Sequence, residues 1–324
     1  MPSTTYLTFL IMSTKKRTVS NGVLNHCYQR TKDRVVIFYS VSDYLVYFTL
    51  YCVLATKYGV KVLALAIMPD HIHDSVIVPC LDVLAGFKKE LNTRFSKTNK
   101  LVCHNDDTLF EEPYGSAPKY TEKSIRSNLI YVGNNPVERH LSKKAEEYRW
   151  SFVAYAVDDH PFSDKMVLRQ ARWALRDAVK EVKYCRNNGK PLAYKQLQRM
   201  FRRLDKRESQ QLVDYIIVQY SVIDYQAAVS YFDSYDNMLL AMHSTTGSEH
   251  DIKEESIGRS DAHYFRMTSL LMKHYGLKDI HDILAFDDNR KWEALEYVSK
   301  ELGVPIKQAA AFLRITSITS PKRP

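Results

Sequence analysis

The chain has no pair of cysteines at the C-x-x-C spacing, and its five cysteines, Cys27, Cys52, Cys80, Cys103 and Cys185, are scattered and odd in number. That argues against a disulfide framework and a cysteine-rich zinc site, and it fits a reducing, cytoplasmic setting. Long apolar runs are missing as well. The early stretch TYLTFLIM falls well short of the ~20 residues that cross a bilayer, and no clear cleavage signal follows it. The expectation is a soluble protein without a membrane partner. There is no convincing internal repeat and no long low-complexity tract. No H-E-x-x-H context accompanies the histidines, which disfavours a generic zinc hydrolase.

What the chain does have is length and positive charge. Its 324 residues can bury a substantial core and hold two or three domains. A formal charge of +9 and a pI near 9.1 favour a polyanionic partner without naming one. Between positions 172 and 207 twelve Lys or Arg residues face only Asp177, Glu181 and Asp205. This is a candidate phosphate-facing stripe, with Arg199, Arg202 and Arg203 as its candidate DNA contacts; a solvated helix surface is the competing reading.

Apolar periodicity orders the first half of the chain. A strand is expected over 22–29, followed by the basic turn TKDR, where Arg30, Lys32 and Arg34 are candidate phosphate contacts. A helix is expected over 42–58, with Asp43 favouring its N-terminus. KVLALAIM reads as a strand broken at Pro69 and Asp70, and HIHDSVIV resumes the strand pattern. The next helix is expected over 81–95, with Asn92 and Arg94 available to phosphate or base. The connection 96–119, carrying NDD and EEPYGSAPK, reads as a loop that could cover a substrate. A further helix is expected from about Tyr120 until Pro136 interrupts or redirects it.

The fold expected is α/β: a compact catalytic domain with a central antiparallel sheet flanked by helices, followed by helical accessory regions. The boundaries expected are a tail over 1–18, the catalytic domain over 19–160, a basic helical region over 161–245 and a helical C-terminal region over 246–324. In the last of these, WEALEYVSKELGVPIKQAAAFLRI reads as helix, GVP turn and short helix. That order is like a helix-turn-helix, although Ala309 to Leu313 look more like core than like a reading surface.

The chemistry concentrates in two short segments. On a strand, residues two apart share a face, so His71 and His73 can approach one metal while Ile72 enters the core. Two buried histidines can equally satisfy hydrogen bonds without an ion. Tyr131 supplies a nucleophile able to attack DNA phosphorus and hold the strand as a phosphotyrosine. Asn135 lies one helical turn later, where its oxygen can face the same place. A buried polar Tyr-Asn pair on a packing helix is the alternative. Magnesium or manganese suits such an oxygen-rich phosphate site better than a closed zinc site does.

The segments AIMPDHIHDSVIV, LIYVGNNPVERHL and EEYRWSFVAY, in this order, resemble the single-tyrosine HUH transposase family of insertion sequences, especially its REP-associated branch. The resemblance covers about 21–155, with NHCYQRTKDRVVIF similar to the family's opening strand and turn. It implies a compact α/β catalytic fold with metal-binding His71 and His73, a DNA nucleophile at Tyr131 and a further polar ligand at Asn135. It also implies single-stranded or hairpin-forming DNA as the partner, cut and rejoined through a transient 5′-phosphotyrosine with release of a 3′-hydroxyl. A homodimer is an open option. Asp74 and Ser75, where family members are often more apolar, depart from the pattern, as does HLSKK after NPVER. So does the long segment from about Asp164 onward. The alternatives are a replication or mobilisation nickase, which can also combine HIH with a tyrosine, and an inactive DNA-binding regulator.

Overall fold

The computed structural model describes residues 18–103, 108–111, 113–244 and 260–315. The expected N-terminal tail up to residue 17, the NDD sequence and most of the polar break before the C-terminal helices lie outside the described residues.

The first strand, β1, spans Leu24–Arg30. Helix α1, Val41–Tyr58, starts where Ser40 and Asp43 cap each other reciprocally and stops at Gly59, whose φ of 64° suits a residue without a side chain. Strands β2, Lys61–Ile67, and β3, His71–Ile77, form a hairpin across Pro69 and Asp70, closed by a 2.8 Å bond from the Met68 amide to the His71 carbonyl. Helix α2 is Leu81–Cys103, strand β4 is Gly115–Lys119 and helix α3 is Glu122–Glu138. The strands form one antiparallel sheet in the order β2-β3-β1-β4.

Three boundaries differ from the sequence expectation. Helix α2 runs eight residues past Phe95, because Phe95, Asn99 and Cys103 continue a buried stripe at four-residue spacing. Part of the expected loop is strand β4, which among the described residues lies at the edge of the sheet, where a proline such as Pro118 is tolerated. Pro136 does not interrupt α3. It lies buried in the last turn, so its missing N–H costs one intrahelical bond just before the helix ends at Arg139.

One face of the sheet, with Cys27, Leu65, Ile67, Ile72 and Val76, packs against α1 and α2. Buried side chains of α4 (Trp173–Asn187), α5 (Tyr194–Phe201) and α6 (Lys206–Tyr220) belong to the same apolar cluster, so α1 is covered on its outer side as well. The other face is covered by α3. Behind that helix Leu129 packs with residues of α7 (Tyr225–Ser230) and α8 (Tyr235–Ser244).

Helices α9, Ala262–Tyr275, α10, Asp288–Leu302, and α11, Ile306–Leu313, build a second cluster that includes Val36, Tyr39 and Cys103. The Tyr39 hydroxyl donates to the Phe312 carbonyl at 2.7 Å, and Arg314 donates to the Val36 carbonyl. Within α11 only Ile306 and Lys307 are exposed, while Gln308 to Leu313 are buried. The short helix after the GVP turn thus spends most of its surface on packing and exposes only its first two residues. Among the described residues no helix is long and apolar enough to cross a membrane. The five cysteines are all free thiols.

Candidate active site

Strand alternation divides β3 into two chemically distinct faces. His71, His73 and Ser75 point toward α3, while Ile72, Asp74 and Val76 point toward α1 and α2. Antiparallel register sets Arg30, Tyr28 and His26 of β1 directly beside His71, His73 and Ser75. On the other flank Ala66 lies opposite His73 and Ala64 opposite Ser75, and these small side chains let α3 approach the sheet.

Helix α3 meets this polar row with one of its own. Asn128, Tyr131 and Asn135 are spaced three and four residues apart and so share a face. Two strand residues advance roughly 6.6 Å and one helical turn about 5.4 Å, so successive members of the two rows meet one to one. The Ser75 hydroxyl donates to Asn128 Oδ1 at 2.6 Å. The Tyr131 ring meets that of His73 edge-on at 5.3 Å, and Asn135 lies against His71 and His73.

The Asn135 amide bridges the two histidines. Its Oδ1 is 3.1 Å from His71 Nε2, and its Nδ2 is 3.4 Å from His73 Nε2. On the far side of each ring, His71 Nδ1 is 2.5 Å from Asp70 Oδ1 and His73 Nδ1 is 3.0 Å from His26 Nε2. One consistent proton assignment has His71 donating to both Asn135 and Asp70, and His73 accepting from Asn135 while donating to His26. Burial alone would raise the Asp70 carboxyl, but the charge and hydrogen bond of His71, with Arg139 and Arg34 nearby, hold it below its ordinary value. All four polar rings are deeply enclosed: His26 is 2%, His71 1%, His73 0% and Tyr131 4% exposed.

Once His71 gives up its Nε2 proton, the two Nε2 atoms and the Asn135 oxygen form a donor set that a hard divalent ion can use, with Asp70 orienting His71 from behind. Among the described residues no group of three or more His, Cys, Asp or Glu side chains is arranged to hold a metal ion. An ion here would therefore rest on two imidazoles and an amide.

The remaining sequence candidates divide. Arg30 belongs to the site, at the β1 position opposite His71, with its guanidinium 5.2 Å from the centre of the Tyr28 ring. Lys32 is exposed, and Arg34 is close enough to Asp70 to lower its titration. Asn92 lies elsewhere, donating to Gln29 Oε1 at 2.8 Å and lining an open groove of about 750 Å³ on the α2 side of the sheet. Arg94 pairs with Glu90 at 3.2 Å. Arg199 and Arg203 are bound to Glu181 and Asp177, at 2.5 and 2.8 Å, while Arg202 is exposed.

Sequence reasoning missed His26, Tyr28, Asn128 and Arg139. The signal for the first two was present in NHCY, where His and Tyr alternate as the two histidines of HIH do. Their contact with β3 depends on strand pairing, which local pattern does not specify. Gly115 completes the arrangement, because a Cβ at that position would lie 2.0 Å from the Tyr28 ring.

No protein-family model matches the chain, and no curated protein matches it. A solved structure of a REP-associated tyrosine transposase bound to a REP hairpin is similar over 45% of this chain and 86% of its own, with 16% identity and a TM-score of 0.39. The likeness is distant and assigns no residue a role.

Proposed function

We propose that this chain cuts and rejoins single-stranded or hairpin-forming DNA through transient attachment of the strand to Tyr131. The observation that carries the reading is the alignment of the two polar rows, in which α3 brings Tyr131 against His73 and Asn135 between His71 and His73. A tyrosine beside two convergent imidazole nitrogens is a constellation suited to phosphoryl transfer, and Arg30 adds a cation at its edge.

In this mechanism the Tyr131 oxygen forms a bond to phosphorus as its proton leaves, and the bond from phosphorus to the 3′-oxygen breaks. That oxygen gains a proton and departs as a 3′-hydroxyl, leaving a 5′-phosphotyrosine. Attack by another 3′-hydroxyl reverses the exchange and restores the phenol, so the phosphodiester is conserved. His71 and His73, with Asn135 Oδ1, would hold a magnesium or manganese ion, whose chemistry when bound is to offset charge on the phosphate. Because Tyr131 is only 4% exposed, DNA entry requires α3 to move outward from the sheet. That burial is also what favours the second reading, a regulator that binds DNA without cutting it.

The test is incubation of end-labelled, hairpin-bearing single strands with the protein and magnesium or manganese, then denaturation and mass mapping of the DNA-linked peptide. Attachment at Tyr131, lost in Tyr131→Phe and impaired in His71→Ala or His73→Ala, is expected. Undiminished attachment in Tyr131→Phe overturns the assignment. Tight binding with no covalent product supports the regulator. Preference for terminal hairpins over replication-origin strands separates strand transfer from a mobilisation nickase.

A further inference from the structure

Helix α4 carries three functions on three faces. Leu175, Ala178, Val179, Val182 and Cys185 are buried in the core. Asp177 and Glu181, one turn apart, are occupied by Arg203 and Arg199 of the neighbouring α5 segment. The third face holds Trp173, Arg176, Lys180, Lys183 and Tyr184, all exposed. At 3.6 residues per turn these five fall within about 100° of arc, with no acidic residue among them. Arg176, Lys180 and Lys183 have no ion pair among the described residues.

The two aromatic residues are unusual for their exposure. Trp173 is 65% and Tyr184 60% exposed, although such side chains ordinarily bury most of their ring. Neither ring is loose. The Arg203 guanidinium sits 5.3 Å from the centre of Trp173 and is itself tied to Asp177, and the Lys190 ammonium sits 5.6 Å from the centre of Tyr184. Each ring is braced by a cation and still presents most of its surface to solvent. The eleven-residue separation of the rings corresponds to about 16 Å along the helix, and the three uncommitted cations fall inside that interval.

We infer that this outer face of α4 is a binding surface for unstructured single-stranded DNA, separate from the candidate active site. Bases stack on Trp173 and Tyr184, and Arg176, Lys180 and Lys183 pair with the intervening phosphates. Exposed aromatic platforms interleaved with cations are what sequence-tolerant recognition of unstacked bases requires. A protein partner with an acidic surface would use the cations but gain little from two braced, separated rings. The choice of DNA over other strands rests on the function proposed above, whereas the surface itself does not depend on Tyr131.

The experiment measures binding of a fluorescein-labelled thymidine homopolymer to the full chain by anisotropy across a salt series, together with quenching of tryptophan emission. Trp173→Ala and Tyr184→Ala are each expected to weaken binding about fivefold or more, the range for loss of one base-stacking ring. Arg176→Gln, Lys180→Gln and Lys183→Gln combined should reduce the slope of log affinity against log salt by about 2. Arg199→Gln, which removes a cation already paired with Glu181, should change affinity less than twofold. Quenching should be lost in Trp173→Phe, since the other tryptophans, Trp150 and Trp292, lie off α4. Unchanged affinity and salt slope in folded variants would overturn the inference, as would equal binding of a duplex. A salt slope that responds to the triple variant without any response to the aromatic variants would reveal a plain polyanion surface and overturn it too. Tyr131→Phe should bind the homopolymer as the unmodified protein does, so failure of covalent attachment and failure of this surface are separately visible.

Discussion

Replacing Lys88 with methionine would leave Asp74 as a buried carboxylate without its cation. The pair is fully enclosed, with Lys88 Nζ 2.6 and 2.7 Å from the two carboxylate oxygens and side-chain exposures of 2% and 0%. Burial alone would lower the Lys88 ammonium, yet the Asp74 charge reverses this and raises it above its ordinary value. Removing one partner of such a pair costs about 3–5 kcal/mol, since the other charge is left desolvated. The variant's cheapest escape is proton uptake. For a carboxyl of ordinary strength this costs about 4 kcal/mol at pH 7 but about 1.5 kcal/mol at pH 5, at 1.36 kcal/mol per pH unit. Urea unfolding should therefore give a midpoint roughly 1 M lower for Lys88→Met at pH 7, with most of the deficit recovered at pH 5. The combined Asp74→Asn, Lys88→Met variant removes both charges while keeping an acceptor for the Tyr51 hydroxyl, now 2.8 Å from Asp74, and should recover at least half of the loss. A deficit that does not change between pH 5 and 7, or a double variant as unstable as the single, would refute the account.

Other expectations follow from the same kind of geometry. Burial opposes charge on His281, but Asp43 and Asp279 push the imidazole up to about 11, so its contribution is complete below the unfolded value of 6.5 and is lost as pH rises toward 11. Thermal melts from pH 6 to 10 should thus show the unmodified protein losing more stability than His281→Asn, and parallel curves would refute the assignment. Gly115→Ala would push the Tyr28 ring away from His73, because the new methyl would overlap it. A loss of about 1–3 kcal/mol in equilibrium unfolding is expected from this overpacking, and Gly115→Ala with Tyr28→Ala should relieve it.

Much of the fold was legible because local pattern and final environment agree. The alternation of HIHDSVIV and the apolar stretch 42–58 with Asp43 at its start mark β3 and α1 closely. Strand β4 was invisible because GSAPK has neither apolar alternation nor β-branched residues, and it is a strand only through backbone pairing with β1. Of the candidate site, His71, His73, Tyr131 and Asn135 were readable as separate chemical opportunities. Their partners His26 and Tyr28 were not, since the register of β1 on β3 is a tertiary fact. The helix, GVP turn and helix of the C-terminal segment were readable, but the burial of Gln308 to Leu313 was not, since one sequence signature serves an exposed or a buried last helix. Over the basic stretch 172–207 the charge was readable, but the ion pairs that tie Arg199 to Glu181 and Arg203 to Asp177 were not, because they depend on how α4 and α5 pack.

The two departures on β3 follow from the same division of faces. Asp74 points away from Tyr131, and its carboxylate is committed to Lys88 on α2 and Tyr51 on α1. It ties the strand to the two helices behind the sheet without adding a charge to the polar face. Ser75 lies on the polar face but donates to Asn128, one turn before Tyr131 on α3. It therefore anchors the N-terminal half of the helix whose later turns carry Tyr131 and Asn135. Any outward movement of α3 that admits a strand can pivot about this bond, opening the His71 end of the row more than the Ser75 end. Breaking the bond in Ser75→Ala should raise amide exchange along α3 without removing any of the proposed reacting groups, and unchanged exchange there would exclude the anchor.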